Sequence, residues 1–124
     1  MSLILYIAAG GAVGAVLRYL ASTGVYGLLG RDFPYGTLAV NVLGSLLIGV
    51  LSVLLIERLD VGPEWRAALL VGVLGAFTTF STFSVETFFL IEQGEALKAL
   101  LNVTLSVLLC VTAAWVGILV GRQI

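Results

Sequence analysis

The sequence predicts an all-α membrane protein of four transmembrane helices, its third helix broken mid-membrane, that works as an antiparallel dual-topology homodimer. Three observations lead there. Of 124 residues, 60% are hydrophobic and only 10% charged, far from the composition of a water-soluble domain. The apolar stretches are parted by short polar knots. Within the third stretch, Val71 to Thr87 reads VGVLGAFTTFSTFSVET, setting Gly72 and Gly75 beside the hydroxyls of Thr78, Thr79, Ser81, Thr82 and Ser84. Glycines loosen a helix, and non-helical backbone at membrane depth is tolerated only where protein or a polar cavity satisfies it. The stretch therefore predicts a broken helix beside an ion site.

Taken in order, one domain over residues 1–124 divides into spans at about 3–29, 37–56, 64–91 and 97–120, each near the ~20 residues that cross a bilayer core. MSLILYIAAGG lacks a basic n-region, so the amino terminus is expected to stay as the first span rather than to be cleaved as a signal peptide. Gly30-Arg31-Asp32 closes the first span. Pro34 precedes the interior of the second, which Glu57-Arg58-Leu59-Asp60 closes. Gly62-Pro63-Glu64 is a good helix start, with proline near the first helical position and an acid in the first turn. Glu92-Gln93-Gly94-Glu95 makes the last turn. Loops this short make sequential helices antiparallel neighbours. Trp65, Trp115, Tyr6 and Tyr35 fall where interfacial aromatic belts belong.

Composition also excludes function classes. Six basic and seven acidic residues give a net charge of −1, so no basic surface for nucleic acid is on offer. There is no histidine, and Cys110 is the only cysteine. This rules out a disulfide framework or zinc site within one chain, and with no plausible nucleophile and base the chain does not read as an enzyme.

Small and polar residues mark the helix faces that meet. Gly10 and Gly14 form a small-xxx-small pair on the first helix, and Gly44 and Gly49 thin the second. Asn41, Ser45 and Ser52 give the second helix a polar stripe, as Asn102, Ser106 and Cys110 do the fourth. Two charges lie inside the spans, and intramembrane charges are functional candidates by default. Arg18 suits a pore mouth. Glu86, nearer the far interface, reads as a structural partner of Arg18 or Arg31.

Loop charge is nearly balanced. Arg58, Arg66 and Arg122 fall on one side of the membrane, Arg31 and Lys98 on the other. So little bias under the positive-inside rule predicts insertion in both orientations. Two antiparallel chains would supply the inverted symmetry that larger transporters encode in one chain. Counted from Glu64, Gly75 to Thr78 lies about 17 to 21 Å into the third span, near the middle of a core about 30 Å thick. Two facing breaks would then present the Gly75 and Thr78 carbonyls to one small hard cation.

Beyond the break, Phe80, Phe83 and Thr87 share one stripe, and Phe77, Ser81 and Ser84 an adjacent one. A phenyl edge is electropositive. Edge-on rings, with the Asn41 amide and serine hydroxyls as donors, would replace part of a small anion's hydration without a fixed positive charge.

GAFTTFSTFS at Gly75 to Ser84 closely resembles the third-helix signature of the Fluc (CrcB) fluoride channels. GAVGAVLRY at Gly11 to Tyr19 and GTLAVNVLGSLLIG at Gly36 to Gly49 are similar to that family's first and second helices, so the resemblance covers the chain. It implies a dual-topology dimer in a bacterial cytoplasmic (inner) membrane, with two fluoride pores and a central structural sodium ion, exporting fluoride passively and relieving its toxicity. By position it implies pore phenylalanines at Phe80 and Phe83, a pore asparagine at Asn41, sodium-binding carbonyls at Gly75 and Thr78, and a vestibule arginine at Arg18. Ser81, Thr82 and Ser84 would supply hydroxyls along the path, joined by Ser106. Ala76 departs from the second glycine that many members carry there. The competing readings are a small dual-topology multidrug exporter, which needs a carboxylate where this first helix has Arg18, and an accessory membrane protein.

Overall fold

The computed structural model describes residues 2–124. Four helices in it are long and apolar enough to cross a membrane: Ser2–Leu29, Tyr35–Arg58, Pro63–Glu92 and Ala96–Gln123. At about 1.5 Å per residue, each covers the hydrocarbon core with turns to spare in the headgroup layers. Gly30 (φ 84°) and Gly94 (φ 79°) take left-handed conformations just past the first helix and the third span, where a side chain would be strained. The third span starts from Gly62 in an extended conformation, with Pro63 in the first turn and Glu64 against the positive end of the helix.

The most extensive packing joins the second helix to the fourth, and the first helix to the early part of the third span. Sequential helices touch less, although the short loops alone make them neighbours. Glycine placement explains the difference. A Cβ at Gly10 would overlap the Ala68 carbonyl oxygen, and one at Gly14 that of Val73; at the other contact, Gly49 and Gly117 press on the carbonyls of Ala114 and Leu46. These are backbone-on-backbone contacts of the kind small residues permit in membranes, where packing rather than hydrophobicity holds helices together. The segment on which Gly10 and Gly14 dock, Ala67–Val73, is wound wider than an α-helix, and its turn closes with the Leu74 N–H on the Leu69 carbonyl, five residues back.

The interior is correspondingly thin. Val40, Val53 and Asn102 are the largest fully buried side chains, and most large apolar residues face outward, where acyl chains or another protein surface solvate them. At the end opposite the first loop, Arg58 donates to the Arg122 carbonyl and Arg122 stands 3.8 Å from Glu57, tying the end of the fourth helix to that of the second.

Candidate ion site at the third span

The helical segment Leu74–Phe77 is followed by two extended residues, Thr78 (φ −90°, ψ 159°) and Thr79 (φ −152°, ψ 116°), before Phe80–Glu92 resumes the helix. Buried backbone without helical partners must find others, and side chains provide them here. Asn41 on the second helix accepts the Thr79 N–H on Oδ1 (2.7 Å) and donates from Nδ2 to the Thr79 carbonyl (3.0 Å). Thr79 is the N-cap of the segment that follows. Its hydroxyl accepts the Thr82 N–H (3.2 Å) and donates to the Thr82 hydroxyl (3.0 Å). The Thr78 hydroxyl folds back onto the Leu74 carbonyl (3.1 Å).

The carbonyls of residues 75–78 lose their regular helical partners at this interruption, Gly75 and Thr78 among them. In an α-helix the Gly75 carbonyl accepts the N–H of residue 79, and the Thr78 carbonyl that of residue 82. Asn41 takes the first of those N–H groups and the Thr79 hydroxyl takes the second.

A cavity of about 350 Å³ opens beside these residues, and Asn41, Gly75, Thr78, Phe80, Phe83 and Ser106 all line it. Ser45, Thr79 and Cys110 complete its polar wall, and no ionised side chain contributes. The Phe80 and Phe83 rings lie 5.3 Å apart and tilted by 46°. Phe83 is 8% exposed, whereas Phe80 is 78% exposed, so one protomer packs the first ring and leaves the second uncovered. The cavity also sees the start of a 13-residue helix, whose unpaired N–H groups and dipole favour negative charge.

The remaining candidates lie apart from this wall. Ser81 stands 3.4 Å from the Thr79 hydroxyl, Thr82 belongs to that same hydroxyl cluster, and Ser84 donates to the Phe80 carbonyl (2.9 Å). Ser81 and Ser84 are exposed on the protomer. Arg18 is half-buried on the first helix, away from the cavity lining, and its Nε is buried without a hydrogen-bond partner among the described residues.

Glu86 pairs with neither Arg18 nor Arg31 in the protomer. Its Oε2 accepts from the Tyr26 hydroxyl (2.9 Å), which also lies 3.3 Å from the Thr37 hydroxyl, and the Arg31 guanidinium stacks on the Tyr26 ring at 4.4 Å. Arg31 thus approaches through the ring face, and the tyrosine takes the place expected for an arginine. Nothing in the sequence singles out Tyr26, 60 residues from Glu86. Thr79 had a local signal, a hydroxyl residue immediately before a helical run, but its tie to Asn41 spans 38 residues.

The model of the family described as CrcB-like protein, Camphor Resistance (CrcB), matches residues 5–118. The chain is 55% identical over 121 residues to the fluoride-specific ion channel FluC of Magnetococcus marinus, covering 98% of each protein. It is 53% identical over 124 residues to the protein of that name from Geobacter sulfurreducens, covering all of both. With the FluC of Methylococcus capsulatus it shares 58% identity over 125 residues, spanning all of this chain and 55% of that relative. The family match over nearly the whole sequence and these identities place the chain in the CrcB family.

Proposed function

We propose that this chain forms a fluoride-selective channel in a bacterial cytoplasmic membrane, through which fluoride leaves the cell passively. The observation that carries this reading is the cavity wall, in which phenyl rings, an amide and hydroxyls at a helix N-terminus stand among aliphatic side chains such as Ile48, Leu74 and Val107, with no ionised group. Such a wall holds an anion by oriented dipoles, so it favours the small halide that accepts the strongest hydrogen bonds. The names of the relatives from Magnetococcus and Geobacter point the same way. Phe80 and Phe83 would offer their ring edges, Asn41 its remaining amide hydrogen, and Ser106, Ser81, Thr82 and Ser84 their hydroxyls along the path. Arg18 would raise anion concentration at a vestibule.

The path is completed, on this reading, by a second copy in the opposite orientation. The uncovered Phe80 ring and the exposed Ser81 and Ser84 support it, as does the balanced loop charge. A sodium ion would sit between the two third spans, held by the Gly75 and Thr78 carbonyls of both copies. The donor set fits such an ion, because these carbonyls are the two whose helical N–H partners are drawn off by Asn41 and Thr79, and a hard cation takes neutral oxygens. The ion's chemistry there is to bridge the copies.

Efflux from proteoliposomes tests the function. Purified protein is expected to release fluoride without a proton gradient and to retain chloride. Proton-coupled cation flux, or no flux at all, would overturn the channel reading.

A further inference from the structure

The polar stripe on the fourth helix continues into the third span as a chain of hydrogen bonds. Asn102, 1% exposed, is engaged at both ends of its amide. Its Oδ1 accepts from the Ser106 hydroxyl (3.4 Å), and its Nδ2 donates to the Thr87 hydroxyl (2.9 Å), which donates in turn to the Phe83 carbonyl (2.7 Å). Every proton in this chain points away from Ser106, which lines the cavity. Ser106 consequently shows the cavity its lone pairs, the wrong polarity for an anion. The link nearest the cavity is also the weak one, since 3.4 Å is long for O–H···O while the next two bonds are of ordinary length.

A side-chain amide has a second orientation of almost the same shape, with oxygen and nitrogen exchanged. Turned over, Asn102 donates from Nδ2 to the Ser106 oxygen, and the Ser106 proton is released toward the cavity. At the other end Oδ1 accepts the Thr87 proton, and the Phe83 carbonyl keeps its helical bond to the Thr87 N–H. No proton changes owner; one amide and two hydroxyls rotate, and each buried polar group keeps a partner in both states. We propose that Asn102 is a positioning residue that sets the polarity of the cavity through Ser106. With its oxygen toward Ser106, that hydroxyl faces the site as an acceptor and weakens its hold on an anion. With its nitrogen there, Ser106 donates and an anion is held. This rests on the reading of the cavity as a fluoride path.

Fluoride efflux from proteoliposomes is measured for the parent, Asn102→Leu, Ser106→Ala and the double variant. Ser106→Ala removes the donor outright, and in Asn102→Leu the Ser106 hydroxyl turns back onto the carbonyl of residue 102, four residues earlier, so each single variant is expected to slow flux about ten- to a hundredfold, the scale of one donor lost to a charged group. The double variant is expected to be no slower than Ser106→Ala alone, because both act through one hydroxyl. Parental flux in Asn102→Leu, or multiplying losses in the double variant, would overturn the proposal. A parent that passes no fluoride would sink the channel reading and this inference with it.

A second measurement uses the intact protein. Asn41 and Asn102 are the only asparagines, so asparagine-selective ¹⁵N labelling gives two side-chain amide signals. Fluoride should shift both in the parent and only one in Ser106→Ala. A parent in which one amide responds would overturn the proposal even if Asn102→Leu failed to assemble.

Discussion

Asn41 shows how one side chain serves both the backbone and the cavity. Its oxygen and one amide hydrogen close on Thr79, and its second amide hydrogen is left for the cavity it lines. Asn41→Asp removes both amide hydrogens and sets a carboxylate against the Thr79 carbonyl. Fluoride flux is expected to fall at least about tenfold, the scale of a lost donor to an anion plus a polar group left unpaired, and efflux at the parental rate would refute the role. The phenylalanines separate in a different way. Isoleucine keeps bulk and apolarity but lacks the ring quadrupole, so Phe80→Ile and Phe83→Ile are both expected to slow efflux sharply. Only Phe83, at 8% exposure, packs within the protomer. Phe83→Ile should therefore also lower the melting temperature, while Phe80→Ile should leave protomer folding alone. If both variants conduct as the parent does, the rings are packing groups and not part of the path.

Among the elements, the first helix and the early third span act as a unit because glycines let their backbones touch. Gly14→Val would drive a branched side chain into the Val73 backbone, and such overpacking costs about 1–3 kcal/mol. Gly24 is the control, since a Cβ there would meet nothing within 4 Å, and Gly24→Ala should be neutral or gain up to about 1 kcal/mol in helix propensity. Thermal unfolding in detergent distinguishes them, and equal melting temperatures would show that the close contact does not stabilise the fold. The four spans and the importance of Gly10 and Gly14 were legible in the sequence, because length, apolarity and small-residue spacing act locally. Which helices those glycines would join was not: a glycine face says that something comes near, and only the assembled bundle shows that it is the third span. The same limit applied to the site. Period-3.6 stripes brought Phe80 and Phe83 together on paper, and the structure sets both against Asn41 and Ser106 at one cavity. The Asn41–Thr79 and Tyr26–Glu86 pairs, 38 and 60 residues apart, depend on rotations of whole helices that no local pattern encodes.

At the scale of the whole molecule, the protomer leaves most of its large apolar side chains uncovered, and the proposed antiparallel partner would meet part of that surface. A cysteine placed at the carboxyl terminus of a Cys110→Ser background should label from both sides of the membrane in comparable amounts; labelling from one side alone would end the dual-topology model. The proposed cation makes a further demand on the pair. An ion that binds only where two copies meet stabilises the dimer in proportion to the logarithm of its concentration above the dissociation constant. Dimer melting temperature should accordingly rise with sodium and fall when a bulky organic cation replaces it. Thr78→Val should keep that dependence, since the ion would use the Thr78 carbonyl and the hydroxyl is already turned onto Leu74. Asn41→Leu should weaken it, although Asn41 would not touch the ion. Without the amide oxygen, the Thr79 N–H is free to return to the Gly75 carbonyl and withdraw one of the proposed ligands. Sodium dependence that is the same in the parent and in Asn41→Leu would separate the amide from the cation site, and a dimer indifferent to sodium would remove the ion from the assembly.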